Sequence, residues 1–485
     1  MGKAQTGIGR FPIRNRSKAR GIYSIGVVPL QALFTYNSPI NFADHRKKDF
    51  SMLLAILIFL VAYIAIASEK FPRHWISLLG GALLILFGIL TPTEALAYIS
   101  WETLGLVAGM FLLVSILTQA GFFTWLAMTS LRKVNYHPAS LFVILIVLAT
   151  VMAMFMDSIT VMLFLSALTV QLCVLLKLDP VPLVIAEVCA ANTGGSATLV
   201  GDPPNVILGT VLGFNFSDFA QHTAPLALAA AFLMLLMFYW ANRKALKNAH
   251  VSLTSEMIET IEELHHEPLH AHLTRVGLTG FLMAVTLLIF HIPLSALTGL
   301  PINAATAALI PAGIALIAMR DDQRKRILIK IDGESILFFA GLFMLIGGLE
   351  KVNVFAALAE SLAAATASSS QALVLALHWG PGLASGILDN VPLALAMTYV
   401  LKDLAAIPGM PALGIMVWSL ALGVDIGGNL TPIGASANVV AYAYMEHNHG
   451  VIGWKRWMTI AVPPTLAAMI LVSVLLLYKF MIGWY

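Results

Sequence analysis

Two stretches of the chain decide its fold: residues 192–207 read NTGGSATLVGDPPNVI, and residues 425–440 read DIGGNLTPIGASANVV. Aligned without gaps, they share a glycine pair, a threonine, a third glycine and an asparagine. A continuous α-helix cannot run through either stretch, because paired glycines, prolines and small hydroxyl residues interrupt it. Apolar sequence surrounds both stretches, so the pattern predicts two broken helices at membrane depth. Matched breaks in the two halves of a chain are typical of transporter binding sites.

Two further pairs of segments indicate that the whole membrane region is duplicated. Asp157 lies in AMFMDSITVMLF and Asp389, 232 residues later, lies in SGILDNVPLALAM. The segment WETLGLVAGMFLLVSILTQAGFF begins at Trp101, and GESILFFAGLFMLIGGLEKVNVF begins at Gly333, again 232 residues later. Three collinear matches predict two structural repeats.

The composition places the chain in a membrane. Apolar residues make up 59 % of it and charged residues 11 %, whereas soluble domains contain roughly 25 % charged residues. Many uncharged runs reach about 17 residues, the length needed to cross the hydrocarbon core. We therefore expect an all-α, multi-pass protein of the plasma or inner membrane. The net charge of +3 and the two cysteines predict neither a nucleic-acid partner nor a disulfide framework.

Each repeat is predicted to contain five transmembrane helices, one of them discontinuous, and one re-entrant hairpin with Asp157 or Asp389 near its tip. Five crossings are an odd number, so the second repeat is inverted relative to the first, and the core has ten spans. Lysines and arginines should then concentrate on alternate, cytoplasmic loops. The loops at residues 92–102, 213–222 and 293–301 contain none of them. The cations of the predicted cytoplasmic loops are Lys70, Arg73, Arg132, Lys133, Arg243, Lys244, Lys247, Arg275, Arg320, Arg324, Lys325, Arg326, Lys330, Lys455 and Arg456.

Four regions follow from this scheme. Residues 51–241 form the first repeat and residues 274–485 the second, and a hydrophilic cytoplasmic linker at residues 242–273 joins them. The linker histidines His265, His266, His270 and His272 lack the spacing of a metal site, so no metal is predicted. Residues 1–50 are a basic extension that is either an eleventh, weak span or an artefact of the start site.

The two aspartates expected at membrane depth and the polar residues of the breaks are the predicted binding site. An ionisable side chain inside the membrane is expensive and indicates function, although aspartate also caps helices. We expect Asp157, Asp389 and Glu187 to be able to carry a coupling proton; Glu187 alternatively pairs with a buried polar group. The remaining predicted substrate-binding or ion-binding residues are Ser158, Asn192, Thr193, Gly194, Gly195, Thr198, Asp202, Asn205, Asn390, Asp425, Gly427, Gly428, Asn429, Thr431 and Asn438.

At these motifs the chain resembles the ion transporter superfamily, in particular the arsenical-pump permeases and the melanosomal P-protein branch. The resemblance rests on WETLGLVAGM, AANTGGSATLVGDPPNVILG, LDNVPLALAM and GGNLTPIGASANVVA. It implies a scaffold domain, a mobile transport domain and a homodimer, and the likeness to arsenical pumps also allows a cytoplasmic ATPase subunit. Dicarboxylate carriers of the superfamily show Ser-Asn-Thr signatures at both hairpin tips. Here the tips begin Asp157-Ser158 and Asp389-Asn390, and no arginine lies in any motif.

These features predict a secondary transporter that exports arsenite or antimonite in exchange for protons. Neutral arsenous acid hydrogen-bonds like a small polyol, so hydroxyl and amide groups suit it. A sodium/proton antiporter is the first alternative, and a sodium-coupled or proton-coupled anion permease is the next. An intramembrane aspartyl protease would leave the matched breaks unexplained, and saturable flux with counterflow would distinguish a carrier from a passive channel. We expect no enzymatic activity, no cofactor and, as partners, the lipid bilayer and a small inorganic substrate.

Overall fold

The computed structural model describes residues 42–68, 70–248, 269–366 and 369–485. Most of the predicted N-terminal extension, and linker residues 249–268 with His265 and His266, lie outside the described residues. Within them the chain is helical and contains no strand. Eight of these helices are long and apolar enough to cross a membrane, and several shorter apolar helices accompany them. The predicted all-α, multi-pass fold is confirmed.

The first repeat supplies eleven helices along the described chain. They are α1 (Phe42–Ala67), α2 (Arg73–Leu86), α3 (Pro92–Tyr98), α4 (Trp101–Gln119), α5 (Phe122–Lys133), α6 (Pro138–Ala153), α7 (Ser158–Leu175), α8 (Val181–Gly195), α9 (Pro203–Leu212), α10 (Phe216–His222) and α11 (Ala224–Asn248).

The second repeat supplies ten further helices in the described residues. They are α12 (Ala271–Thr298), α13 (Ala304–Ala318), α14 (Asp321–Ile329), α15 (Gly333–Lys351), α16 (Val354–Thr366), α17 (Ser370–Ser385), α18 (Asn390–Ala406), α19 (Leu413–Gly427), α20 (Ser436–His449) and α21 (Trp454–Ile482).

The packing of these helices has the reciprocity of two inverted repeats. Helix α4 packs on α13, and its counterpart α15 packs on α2, the counterpart of α13. In the same way α7 packs on α20, and α18 packs on α9. Each repeat therefore completes the core of the other, and the two broken helices meet within one shared interior.

Two helical hairpins, α6–α7 and α17–α18, carry the predicted aspartates at their tips. Helices α6 and α17 have 16 residues each, or about 24 Å, which falls short of a hydrocarbon core about 30 Å thick. Each hairpin turns just before an aspartate, which caps the second helix of the hairpin. The Asp157 carboxylate accepts a hydrogen bond from the Thr160 backbone amide at 2.9 Å, and Asp389 accepts one from Val391 at 3.0 Å. The hairpins and their tip residues are as predicted.

Both predicted breaks are present, and glycines make them compact. Helix α8 ends at Gly195 and α9 begins at Pro203, while α19 ends at Gly427 and a 3-10 turn, Gly428–Leu430, precedes α20. A Cβ atom at Gly201 would lie 2.3 Å from the Gly195 carbonyl oxygen, and one at Gly434 would lie 2.3 Å from the Gly428 oxygen. Only glycine lets the chain fold back this closely in either repeat.

Candidate functional site

A pair of equivalent asparagines holds the two breaks in shape. The Asn205 amide donates to the Gly195 carbonyl at 3.1 Å and to the Thr198 carbonyl at 3.0 Å. The Asn438 amide donates to the matching carbonyls, Gly428 at 2.8 Å and Thr431 at 2.7 Å. Carbonyls freed by a helix break need such partners, because leaving them unpaired at membrane depth costs several kcal/mol.

A pair of equivalent threonines ties each break to its own hairpin. The Thr198 hydroxyl donates to the Met154 carbonyl, and the Thr431 hydroxyl donates to the Gly386 carbonyl. Both carbonyls lie where the first arm of a hairpin ends. Each broken helix and the hairpin of its repeat are therefore held together by a direct hydrogen bond.

The two breaks also contact each other directly. The Asn192 amide donates to the side-chain oxygens of Asn429 and Asn438, both at 2.8 Å, and the Asn429 amide lies 3.4 Å from the Thr193 hydroxyl. All four side chains are buried. The structure thus brings together polar residues that lie more than 230 positions apart in the sequence. Such contacts are needed if both repeats contribute to one pocket.

Asp202 joins the two hairpin tips. Its carboxylate accepts hydrogen bonds from the Ser158 hydroxyl at 2.9 Å and from the Asn390 amide at 3.0 Å. Ser158 begins α7 and Asn390 begins α18, so one carboxylate of the first break holds the start of a helix from each repeat. Asp202 is buried, with 2 % of its surface exposed.

Asp425 is the unusual group of the site. It is fully buried, and neither of its carboxylate oxygens has a hydrogen-bond partner. Two polar groups act on it: the Asp202 carboxylate repels its charge, and the Asn390 side chain is positioned as a potential donor, although no hydrogen bond of normal geometry forms. A buried carboxylate without a good donor is costly, and binding a proton or a cation would relieve that cost.

The other predicted carboxylates have distinct surroundings. Asp389 accepts a hydrogen bond from the Ser436 hydroxyl at 3.0 Å, so its hairpin tip contacts the second arm of its own broken helix. Asp157 accepts from the Thr160 hydroxyl at 2.7 Å and lines a cavity. Glu187 lies apart from these groups and accepts a hydrogen bond from Thr169 at 2.5 Å, while its other oxygen has no partner.

A cavity of about 340 Å³, here called the central cavity, opens beside the two hairpin tips. Asp157, Ser158, Asp202 and Asn390 line it, so four of the predicted site residues face one volume. The predicted glycines do not line the cavity but pack against neighbouring atoms. A Cβ atom at Gly194 would lie 2.4 Å from the Thr150 carbonyl oxygen, and one at Gly427 would lie 2.0 Å from the Gly382 carbonyl oxygen. Gly195 and Gly428 are crowded in the same way.

Two cations in the central cavity were not predicted as site residues. Arg73 donates to the Ser335 hydroxyl at 2.9 Å and to the Ser436 hydroxyl at 3.3 Å, and its guanidinium lies 5.0 Å from the centre of the Phe338 ring. Lys330 lines the same cavity. In the sequence both residues look like ordinary cytoplasmic loop cations, and no motif around them indicates a binding role.

A second volume of about 530 Å³, the entrance cavity, adjoins the first and shares Thr118, Gln119 and Lys330 with it. Arg326 and His270 also line it. Both cavities thus lie at the end of the molecule where the loops rich in lysine and arginine are found. The described residues contain no group of three or more histidine, cysteine or acidic side chains that could hold a metal ion.

Comparisons with known proteins agree with a transporter. Residues 63–423 match the family model CitMHS, described as "Citrate transporter". An uncharacterized transporter of Mycobacterium tuberculosis is 32 % identical over 393 residues, which cover 80 % of this chain and 89 % of that protein. The human P protein is 30 % identical over 74 % of this chain and 51 % of its own length.

A solved structure shows the same fold. The YdaH transporter of Alcanivorax borkumensis superposes with a TM-score of 0.56 over 90 % of this chain and 99 % of that chain. Its sequence identity is 14 %, so the likeness concerns the arrangement of the helices alone.

Proposed function

The chain belongs to the CitMHS family of membrane transporters, and from this premise we propose that it is a secondary active transporter of a small carboxylate or similar oxyanion. The central cavity is the proposed substrate site, and a cation bound near Asp425 and Asp202 is the proposed coupling ion. This substrate was the last of the transport alternatives favoured by the sequence, because no arginine lies in the motifs.

The observation that supports an anionic substrate is the presence of Arg73 and Lys330 in the central cavity. A guanidinium presents its N–H donors in a planar fork that matches a carboxylate. The Ser335 and Ser436 hydroxyls that hold Arg73 also fix its direction. An anion that displaces these hydroxyl contacts would form paired hydrogen bonds in which both the donor and the acceptor are charged.

The coupling role rests on Asp425, whose oxygens lack donors. Sodium and protons both satisfy a buried carboxylate, and hard cations prefer oxygen ligands. Asp202 and Asn390 supply further oxygens close by, and Ser158 binds Asp202 directly. A cation here would lie where the hairpin tips of the two repeats meet, so its binding and the position of both tips would depend on each other.

Arsenite or antimonite export in exchange for protons is the second proposal. It is supported by the uncharged polar groups that line the central cavity beside its charged ones: the Ser115, Thr118 and Ser158 hydroxyls and the Asn390 amide. Neutral arsenous acid could hydrogen-bond to such groups without thiolates. A homodimer and a docked ATPase subunit are further proposals that follow from the resemblance to arsenical pumps.

Flux measurements in proteoliposomes test these proposals. We expect saturable uptake of radiolabelled citrate that depends on an imposed proton or sodium gradient. Where the cytoplasmic face is presented to subsaturating citrate, Arg73→Ala and Lys330→Ala should each reduce this uptake by about tenfold, the loss of one charge-assisted contact. Lys325→Ala, an exposed cation of the same loop as Lys330, is the matched control and should behave like the wild type.

The same vesicles distinguish the alternatives. Proton-coupled movement of arsenite with no citrate movement would reject the anion proposal in favour of arsenite export. Sodium movement against protons, with neither citrate nor arsenite flux, would reject both and identify a sodium/proton antiporter. Flux that does not saturate and shows no counterflow would indicate a channel.

A further inference from the structure

The two repeats adopt different positions relative to the scaffold helices. In the first repeat, the central cavity separates the start of α7 from α4, because Ser115, Thr118 and Asp157 all line it. In the second repeat, the counterpart helices close up: α18 packs on both α15 and α16. Tyr399 of α18 stacks on Phe355 of α16, with ring centres 5.8 Å apart. Helix α5, the counterpart of α16, packs instead on α4 and α6.

Further contacts close the opposite end of the molecule. Tyr98 fills the space beside Gly347, where a Cβ atom would lie 2.3 Å from the tyrosine ring. The counterparts of these two residues, 232 positions away, are Lys330 and Ser115, which both line the open central cavity. The Thr103 and Thr210 hydroxyls are hydrogen-bonded at 2.6 Å and join α4 to α9. The structure is therefore open at the loops rich in lysine and arginine and closed at the other end.

Inverted repeats give alternating access when the two halves exchange their conformations around one site. The exchange would part Tyr98 from Gly347 and open a counterpart cavity toward the exterior. The residues of that cavity follow from the repeat offset. Asp389 and Asn390 would take the places of Asp157 and Ser158.

The cations of the central cavity have no equivalents in this counterpart. Ala305 corresponds to Arg73, and Tyr98 corresponds to Lys330. Lys351 would be the nearest cation, in the position of Gln119, but it forms an ion pair with Glu94. Lys351 lowers the pKa of Glu94 to about 2, so Glu94 remains charged at physiological pH and keeps Lys351 in the ion pair.

We propose that the transporter has two chemically unequal access sites: Arg73 and Lys330 bind the substrate anion from the cytoplasmic side, and the exterior-facing site lacks both. This inference rests on the proposed function and specifies where the anion is recognised. The inequality does not drive net transport, which the coupling gradient supplies. It sets different substrate concentrations for half-maximal transport at the two faces of the membrane.

Sided vesicles test the proposal, with radiolabelled citrate as the probe. We expect the KM measured from the cytoplasmic face of the full-length protein, in inside-out vesicles, to be about tenfold lower than in right-side-out vesicles. Arg73→Ala should raise the cytoplasmic KM by about tenfold and change the exterior KM by less than about twofold. Lys330→Ala tests the same point at an exposed position, where truncation removes no buried contact, and Lys325→Ala is the control.

Equal KM values at the two faces of the wild type would overturn the proposal, and so would variants that raise both values alike. Either result would leave the anion transport itself intact. An absence of saturable citrate flux from both faces would instead reject the proposed function, and the unequal sites with it.

Discussion

The broken helix of the first repeat and that of the second share their supporting residues but differ in their carboxylates. Asn205 and Asn438 make the same two hydrogen bonds to carbonyls of their breaks. Asp202, however, corresponds to Ala435, and Asp425 corresponds to Asn192. The shared residues build the architecture, and the unshared ones introduce the charge. The site is therefore one asymmetric centre within a symmetric frame, with one carboxylate from each break.

The largest effect should come from removing the asymmetric charge at Asp425. Asp425→Asn makes the second break resemble the first at this position. We expect cation-dependent flux to fall on the order of 100-fold, since losing one partner of a buried charge contact costs about 2–5 kcal/mol. Stability should be retained, because the wild-type carboxylate has no hydrogen bond to lose. Flux in proteoliposomes and thermal unfolding in detergent measure the two effects.

A double variant sharpens this test. Asn192→Asp combined with Asp425→Asn moves the carboxylate to the equivalent position of the other repeat and keeps the number of charges constant. We expect it to remain inactive, because Asn192 donates to Asn429 and Asn438, a role that a carboxylate cannot fill. Wild-type flux in either the single or the double variant would show that the asymmetry has no role in coupling.

Removing the shared asparagines should cause a smaller and equal effect in both repeats. Asn205→Ala and Asn438→Ala each delete two hydrogen bonds to buried carbonyls. We expect each variant to lose at least about 2 kcal/mol of stability, because each buried carbonyl left without a donor costs about 1–3 kcal/mol. Denaturation in detergent, compared between the two variants, provides the measurement. A large loss of stability in one variant and none in the other would contradict the inference that the two asparagines have the same structural role.

The sequence was sufficient to predict the frame of this site. Glycine pairs and prolines in 192–207 and 425–440 determine where helices break, and Asp157 and Asp389 determine where the next helices begin. These are local effects of backbone conformation and capping, so they can be read from neighbouring residues. The inversion followed from counting spans and cations. The reciprocal packing of α4 on α13 and α15 on α2 agrees with it.

The cations of the cavity could not be predicted in the same way. Arg73 and Lys330 lie on different repeats and line one cavity because α15 packs on α2. Their surroundings in the sequence are those of any cytoplasmic loop. The contacts of Asp202 with Ser158 and Asn390 likewise depend on how the two hairpin tips approach each other. Such pairings are decided by the packing of distant helices, and one sequence contains no local signal for them.

Replacing Glu187 should have the smallest effect, and it extends the comparison of the two repeats to a residue outside the breaks. Its counterpart in the second repeat, in the same alignment that pairs Asn192 with Asp425, is the buried apolar residue Leu420. Glu187 is thus a second asymmetric carboxylate, but its hydrogen bond to Thr169 lies away from the hairpin tips. The lack of a matching carboxylate in the other repeat would suggest a role for Glu187 in coupling, whereas its distance from the hairpin tips favours a local packing role.

Glu187→Gln decides between these two roles. Glutamine keeps an oxygen that can accept the Thr169 hydrogen bond, and it places an amide where the glutamate has an oxygen without a partner. We expect citrate flux to change by less than about threefold, equivalent to less than about 0.7 kcal/mol, with its dependence on the proton gradient unchanged. Loss of proton dependence with retained folding would instead place the coupling proton on Glu187. Proton coupling would then act from outside the centre formed by the two breaks, and Asp425 would retain only a role in binding a metal cation.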